Sequence, residues 1–386
     1  MVDAKEILNI NCDNSINVND QDLQCLLESF PESFQCCAIF GKSRGGKSYA
    51  MNVFRKKLEK NCSDNLPGFE CRTGSKGVTS DFWMMPVSKK IEESSFLFCD
   101  AEGAFEIGKS AEVSAKLLAI SAAISSCLII NIKQSIDSAE LNFFNAFLTN
   151  IETNNSGKFE DLVFLVRDWG YPDEHKFGLD GGNKYLASLK DENLSKIMSL
   201  FTKTQCYLMP SIGYEQVKNP NYCFYYNKKH VDQEFDEHCE KFVDEVILKI
   251  EKTFKKNLLK DRLHQIVNIV NTNERISLYD IQRANDEILI LKEQAENSAL
   301  QTSEKCNLIA NEIDALKLET QVAKETENQL IEQVHNLEQE VQNVSQVNQQ
   351  IQETNQNYAS QVTVLQSQVN SGGGRRRRRR RLGIKF

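Results

Sequence analysis

One octapeptide limits the folds open to this chain more than any other feature: Gly41-Lys-Ser-Arg-Gly-Gly46-Lys47-Ser48, which satisfies G-x-x-x-x-G-K-[ST]. It directly follows an apolar run ending at Phe40 and precedes Tyr49-Ala-Met-Asn-Val-Phe-Arg-Lys-Lys, a plausible helix. That strand–loop–helix setting is what the motif needs. Gly41, Gly45 and Gly46 let backbone N–H groups curl around phosphates at a helix N-terminus, beside Tyr49 in the first turn. Lys47 then reaches the β and γ oxygens, and the Ser48 hydroxyl can bind Mg²⁺.

The surrounding pattern agrees with a sheet that presents such a loop. Short apolar runs at Cys36–Phe40, Phe82–Pro86, Phe96–Cys99, Cys127–Ile132, Leu162–Val166 and Cys206–Met209 read as buried strands. Helical spacers of 20–40 residues between most of them indicate crossovers. The expected fold class is therefore α/β, a mostly parallel, doubly wound sheet whose ligands lie at the carboxyl ends of the strands. The uncharged stretch Leu117–Ile132 is too short for a spanning helix, which needs about 20 apolar residues. A buried helix running into a core strand accounts for it, and no transmembrane segment is expected.

Past Pro220 the chain has no further proline, and residues 233–270 carry helical spacing: Phe235, Cys239, Phe242, Val246 and Ile250, then Leu259, Leu263, Ile266 and Val270. Beyond about residue 285 a period of seven takes over, from Ile309 through Leu316, Ala323, Leu330, Leu337, Val344, Ile351 and Tyr358 to Leu365. Companion apolar positions include Ile313, Val334, Val341, Val362 and Val369. Such a seam, set among Gln, Asn and Glu, indicates a coiled coil, roughly 130 Å long if wholly helical. Asn348 and Asn355 fall on the companion positions, where an amide costs stability but fixes register. The expected organisation is an N-terminal segment at 1–34, a nucleotide-binding domain at 35–250, a helical linker at 251–284, the coiled coil at 285–370 and a Gly/Arg-rich tail at 371–386.

Charge and cysteine content exclude other classes. The 386 residues carry a formal charge of -8. Residues 375–386 alone hold eight cations, so the rest has 38 cations against 54 anions. A body that acidic lacks the cationic face a duplex binder needs, and no specific nucleic-acid partner is expected. The run Arg375–Arg381 suits an anionic membrane surface or an acidic partner, and a solvated terminus explains it equally well. Twelve cysteines are spread through the chain with no zinc-ligand spacing and no signal peptide before them. Reduced thiols and a cytoplasmic location follow, with a peripheral position on the cytosolic face of a membrane as the variant that the Arg tail suggests.

Three further segments carry chemistry. Asp100 and Gly103 end the apolar run Phe96–Cys99, where a carboxylate can join the metal shell and a glycine N–H can meet a γ-phosphate. Thr79 lies between this segment and the phosphate loop, in the Gly-rich Gly74-Ser-Lys-Gly-Val-Thr79, where it can complete the Mg²⁺ coordination, and an ordinary surface loop accounts for the segment equally well. Leu162-Val-Phe-Leu-Val-Arg167-Asp168-Trp169 is a strand ending in a polar pair. A carboxylate there can accept from both N1–H and the 2-amino group of guanine, which adenine cannot match.

Taken with Gly178-Leu-Asp-Gly-Gly182 and Asn219-Pro-Asn221, these segments resemble the GB1/RHD3-type dynamin-like GTPases, the group of the atlastins and guanylate-binding proteins, over about residues 35–245. The resemblance implies Mg²⁺-dependent GTP hydrolysis to GDP, coupled to dimerisation of the GTPase domain. It implies that Arg167 and Asp168 read guanine, that Arg44 is an arginine finger supplied in cis, and that Glu102 helps order the attacking water. Val217 and Asn219 lie where that family's guanine cap closes. The coiled coil would add permanent self-association. Two residues depart from the family pattern, Asp81 and Gly77 around Thr79, and they favour the rival reading of a nucleotide-gated coiled-coil tether with weak hydrolysis. A membrane-fusion role does not carry over, because the heptads and Arg tail stand where atlastins have a helical bundle and membrane spans.

Overall fold

The computed structural model describes residues 4–60, 63–70, 82–88, 95–101, 111–152, 158–218, 224–272 and 276–371. The chain divides into two units, Met1–Gln294 and Ala295–Phe386.

The strands of the first unit are β1 (Lys5–Ile10), β2 (Ile16–Val18), β3 (Ser33–Gly41), β4 (Phe82–Ser88), β5 (Ser95–Ala101), β6 (Cys127–Lys133), β7 (Ile151–Glu152), β8 (Phe159–Arg167), β9 (Phe201–Leu208), β10 (Phe254–Lys255) and β11 (Ile276–Ser277). Its helices are α1 (Asp20–Glu28), α2 (Lys47–Leu58), α3 (Ala111–Ile124), α4 (Ser138–Asn150), α5 (Leu179–Ser188), α6 (Glu192–Ser199), α7 (Tyr214–Lys218), α8 (Gln233–Glu245) and α9 (Lys256–Thr272). The last helix, α10 (Leu278–Ser371), begins in this unit and carries the second.

The main sheet runs β2-β1-β4-β5-β3-β6-β8-β9, with β10 pairing β3 at its start. Strands β5, β3, β6, β8 and β9 are parallel, so their carboxyl ends share one edge. Each of the six apolar runs read from the sequence overlaps a strand. The stretch Leu117–Ile132 becomes α3 and β6, as its composition indicates.

Both faces of the sheet are covered, and strict alternation along the strands produces this. Cys36, Ala38 and Phe40 of β3 face one core with α1, α3 and α9, whereas Cys37 and Ile39 face the other with α2 and α8. In β8, Leu162, Phe164 and Val166 alternate in the same way with Val163 and Leu165. A strand buried on both sides reads as an unbroken apolar run, which is why these were visible in the sequence. Phe54 of α2 stacks on Phe242 of α8 with ring centroids 4.6 Å apart, fixing one face.

The segment before residue 35 contributes more than an entry path. Strands β1 and β2 extend the sheet past β4 in antiparallel sense, and β4 is itself antiparallel to β5. The Asn19 side chain caps α1 by accepting from Asp22 N at 3.2 Å. Acidic Asp20 and Asp22 in the first turn suit the positive end of the helix dipole.

Within the second unit the described residues are continuous helix to Ser371. The heptad side chains there are exposed, Ile313 by 46% and Val341 by 68%. No helix among the described residues is long and apolar enough to cross a membrane.

Candidate functional site

The carboxyl edge of the parallel strands collects the polar groups of the motifs. The chain leaves β3 at Gly41, whose φ of 152° is closed to most L residues. A Cβ there would also sit 2.4 Å from the Asn131 carbonyl oxygen on neighbouring β6. Gly46 forms the N-cap of α2 with φ 77°, and no side chain caps that end. The first amides of α2 therefore remain available to an anion. Arg44 holds a left-handed φ of 59° and is exposed at the loop tip.

The loop is held closed from within. The carbonyl of Lys42 accepts from Gly45 N at 3.2 Å and from the Lys47 ammonium at 3.2 Å. Lys47 is only 6% exposed, which fixes its direction. The Lys42 side chain pairs with Glu140 of α4 at 2.6 Å, anchoring the loop's first turn.

At the end of β5, Asp100 accepts a hydrogen bond of 2.5 Å from the Ser48 hydroxyl. Asp100 lies beside Ile39 in register and is fully buried. Burial pushes its carboxyl above the ordinary range, against the opposing pull of Lys47 and Ser48. Its second oxygen, Oδ1, has no hydrogen-bond partner among the described residues. A desolvated carboxylate with one orphaned oxygen, beside a hydroxyl and an ammonium, is chemically suited to a hard divalent cation.

Three strands over, Arg167 closes β8. Its Nε donates to Asn131 Oδ1 at 2.7 Å, and its Nη2 donates to the Gly45 carbonyl. Asn131 Nδ2 donates to that same carbonyl at 3.0 Å. The guanidinium also packs against Gly46, where a Cβ would stand 3.0 Å from Nη2. Arg167 is therefore spent on the backbone of the phosphate loop.

Asp168 follows with φ 55° and is half-buried. The next residues lock this turn to the sheet. Trp169 N donates to the Met209 carbonyl at 3.1 Å, and its indole N–H donates to the His175 carbonyl at 2.9 Å. The indole packs on Tyr185 with centroids 4.8 Å apart. Gly182 lets α5 lie directly on β9, since a Cβ would meet the Cys206 carbonyl oxygen at 2.1 Å. The Gly-Leu-Asp-Gly-Gly segment is thus a packing device that supports the Arg167-Asp168-Trp169 turn.

Tyr49 is buried in the core under α2, and Val217 is 46% exposed on α7. Thr79, Glu102, Gly103, Asn219 and Arg375–Arg381, together with Gly77 and Asp81, lie outside the described residues. Two contributors were missed by sequence reasoning, Asn131 and Glu140. Asn131 had a signal, as the single amide in the apolar run Cys127–Ile132. Glu140 had none.

Comparison with known proteins bears on this arrangement. The family described as "Guanylate-binding protein, N-terminal domain" matches residues 13–257. Atlastin-1 of Bos taurus is 28% identical over 263 residues, covering 60% of this chain and 46% of the relative. Atlastin of Drosophila melanogaster is 27% identical over 256 residues, covering 57% and 47%. Atlastin-2 of Xenopus laevis is 28% identical over 209 residues, covering 47% and 37%. The chain spans less than half the length of these relatives. With more than half of its residues matched to the one family, it belongs to the guanylate-binding protein N-terminal domain family, the GB1/RHD3-type dynamin-like GTPases that include the atlastins.

Proposed function

We propose that this protein binds GTP at the carboxyl edge of β3, β5, β6 and β8 and hydrolyses it to GDP and phosphate in a Mg²⁺-dependent cycle. The observation that carries the reading is the Ser48 hydroxyl bonded to buried Asp100 with its orphaned oxygen, set beside Lys47 at the foot of an uncapped helix.

The uncapped start of α2 and the loop Gly41–Ser48 receive the triphosphate, and Lys47 offsets charge on the β and γ oxygens. Ser48 and Asp100 would hold the Mg²⁺ that accompanies GTP, with Thr79 as a third ligand, and the cation would supply neutralisation of phosphate charge. Asp168 accepts from guanine N1–H and the 2-amino group. Arg167, whose guanidinium is engaged by Gly45 and Asn131, acts on the base side by holding this turn against the phosphate loop. Val217 and Asn219 belong to the cap over the base, and Gly103 and Glu102 to the γ-phosphate and its attacking water.

Arg44 sits at the exposed tip of the loop, where a second GTPase domain approaching across the nucleotide would order it over the transferring phosphoryl. Hydrolysis is in this way coupled to self-association, through the GTPase domain and through the coiled coil. The nine cysteines among the described residues are free, which favours the cytosol. Arg375–Arg381 stays the candidate contact for an anionic membrane or acidic partner.

The test is GTP turnover by the full chain, wild type against Arg44→Ala, with and without Mg²⁺. Hydrolysis by the wild type should fall roughly 10³-fold in the variant. Equal, slow turnover by both proteins would instead establish a nucleotide-gated tether.

A further inference from the structure

The exposed apolar line on α10 is a half-built interface. In heptad terms, Leu316, Leu330, Leu337 and Leu365 occupy d positions together with Ile309, Ala323, Val344, Ile351 and Tyr358, and Ile313, Val334, Val341 and Val362 occupy a positions. Upstream on the same d line, Ile281 and Ile288 are buried within the first unit. From Ala295 onward the line has no cover, and its large members are 46% to 68% exposed. A row of apolar side chains that long is not left in water.

We propose that its occupant is a second copy of this chain, aligned parallel and in register as a two-stranded coil. The inference rests on the self-association reading above and adds strand number, direction and register. Three independent features of the seam carry it.

First, the aliphatic a residues are all β-branched and Leu is the commonest d residue, the combination that favours two strands, whereas the reverse arrangement favours more. Second, Asn348 and Asn355 both stand at a. In a parallel in-register pair each amide meets its own copy across the axis and is satisfied. In an antiparallel pair each would face a d residue, most of which are apolar, and lose its partner. Third, the flanking charges are complementary in that register, where both pairs form. Glu312 and Glu319 stand at g, and Lys317 and Lys324 stand at e, five residues further along. Each Glu therefore meets a Lys of the second copy in the parallel pair. Thr320 and Glu327 at a weaken the middle layers, as polar residues there do.

Cys306, exposed and seven residues before Ile313, is also an a position and reports the geometry. In the proposed pair the two copies of this thiol face each other. A parallel coil also joins both chains at one end, which tethers the two nucleotide-binding units as neighbours and raises their effective concentration.

The experiment uses the nucleotide-free full chain. Light scattering should give twice the 44.0 kDa chain mass. A short bismaleimide should give a covalent dimer that is lost in Cys306→Ser. Glu312→Lys/Glu319→Lys and Lys317→Glu/Lys324→Glu should each weaken the homodimer about tenfold, and mixing the two variants should restore wild-type affinity as a heterodimer. A monomeric full chain would overturn the coil as an interface altogether. A trimer would overturn the strand number. A dimer with Cys306-independent cross-linking and no rescue on mixing would overturn the direction and register while leaving self-association intact.

Discussion

Arg167 and Gly45 are 122 residues apart in sequence and in direct contact in the fold: the guanidinium at the end of β8 donates to the carbonyl of the phosphate loop, and Asn131 donates to the same oxygen. The strand that ends in the candidate base reader is thereby tied to the loop proposed to receive phosphates. A ligand held at both ends by one bonded frame does not have to order that frame itself.

Removing this tie should loosen the loop for every nucleotide. Arg167→Ala leaves Asn131 Oδ1 without this donor and the Gly45 carbonyl with Asn131 alone in place of two donors, at a cost of about 2 kcal/mol. Affinity for GTP and GDP should fall together by roughly thirtyfold in titrations with fluorescent nucleotides. Arg167→Lys should recover little, because one ammonium cannot reproduce a planar fork that reaches two acceptors. A loss confined to guanine over adenine nucleotides would put Arg167 on the base instead.

Asp100 should trade stability for function. Its carboxyl is raised above the ordinary value because burial penalises the charged form. Above the unfolded pKa near 3.8 that penalty begins, and it grows as pH rises until the folded-state value is passed. The penalty is larger at neutral pH than at pH 4, so Asp100→Asn should stabilise the nucleotide-free protein by about 1 kcal/mol, seen as a Tm increase of roughly 2 °C. The gain should shrink as the pH is lowered toward 4. The same variant should lose the Tm increase that GTP with Mg²⁺ gives the wild type. A variant less stable than wild type at pH 7 would mean that Lys47 and Ser48 outweigh the desolvation.

Gly182→Ala should separate α5 from β9. The new methyl has only backbone to meet, the Cys206 carbonyl at 2.1 Å, so relief requires the helix to move. The expected cost is about 3 kcal/mol, measured as a lowered urea midpoint of the first unit. Nucleotide affinity should fall as well, because Trp169, the residue after Asp168, packs on this helix through Tyr185. Unchanged stability would show that α5 shifts without strain.

Legibility in the sequence followed the distance over which each feature is encoded. The phosphate loop was readable because glycines, lysine and serine at fixed spacing are a local code, and β3, β6 and β8 because burial on both faces leaves continuous apolar runs. Strands β1 and β2 were not readable. Lys5–Ile10 is short and mixed in polarity, as befits strands near a sheet edge. The antiparallel sense of β4 was equally hidden, since an apolar run carries no direction. In the candidate site, the juxtaposition of Lys47, Ser48 and Asp100 was expected from motif spacing alone. Asn131 and the destination of the Arg167 guanidinium depend on which strands are neighbours, and nothing local to either residue states that.

The most direct measurement is a crystal structure of the full chain with Mg²⁺ and a non-hydrolysable GTP analogue. It should place the triphosphate on the start of α2, the cation against Ser48 and the free oxygen of Asp100, and the Asp168 carboxylate about 2.6–3.2 Å from guanine N1 and the 2-amino nitrogen. A base bound elsewhere, with Asp168 turned to solvent, would contradict the account.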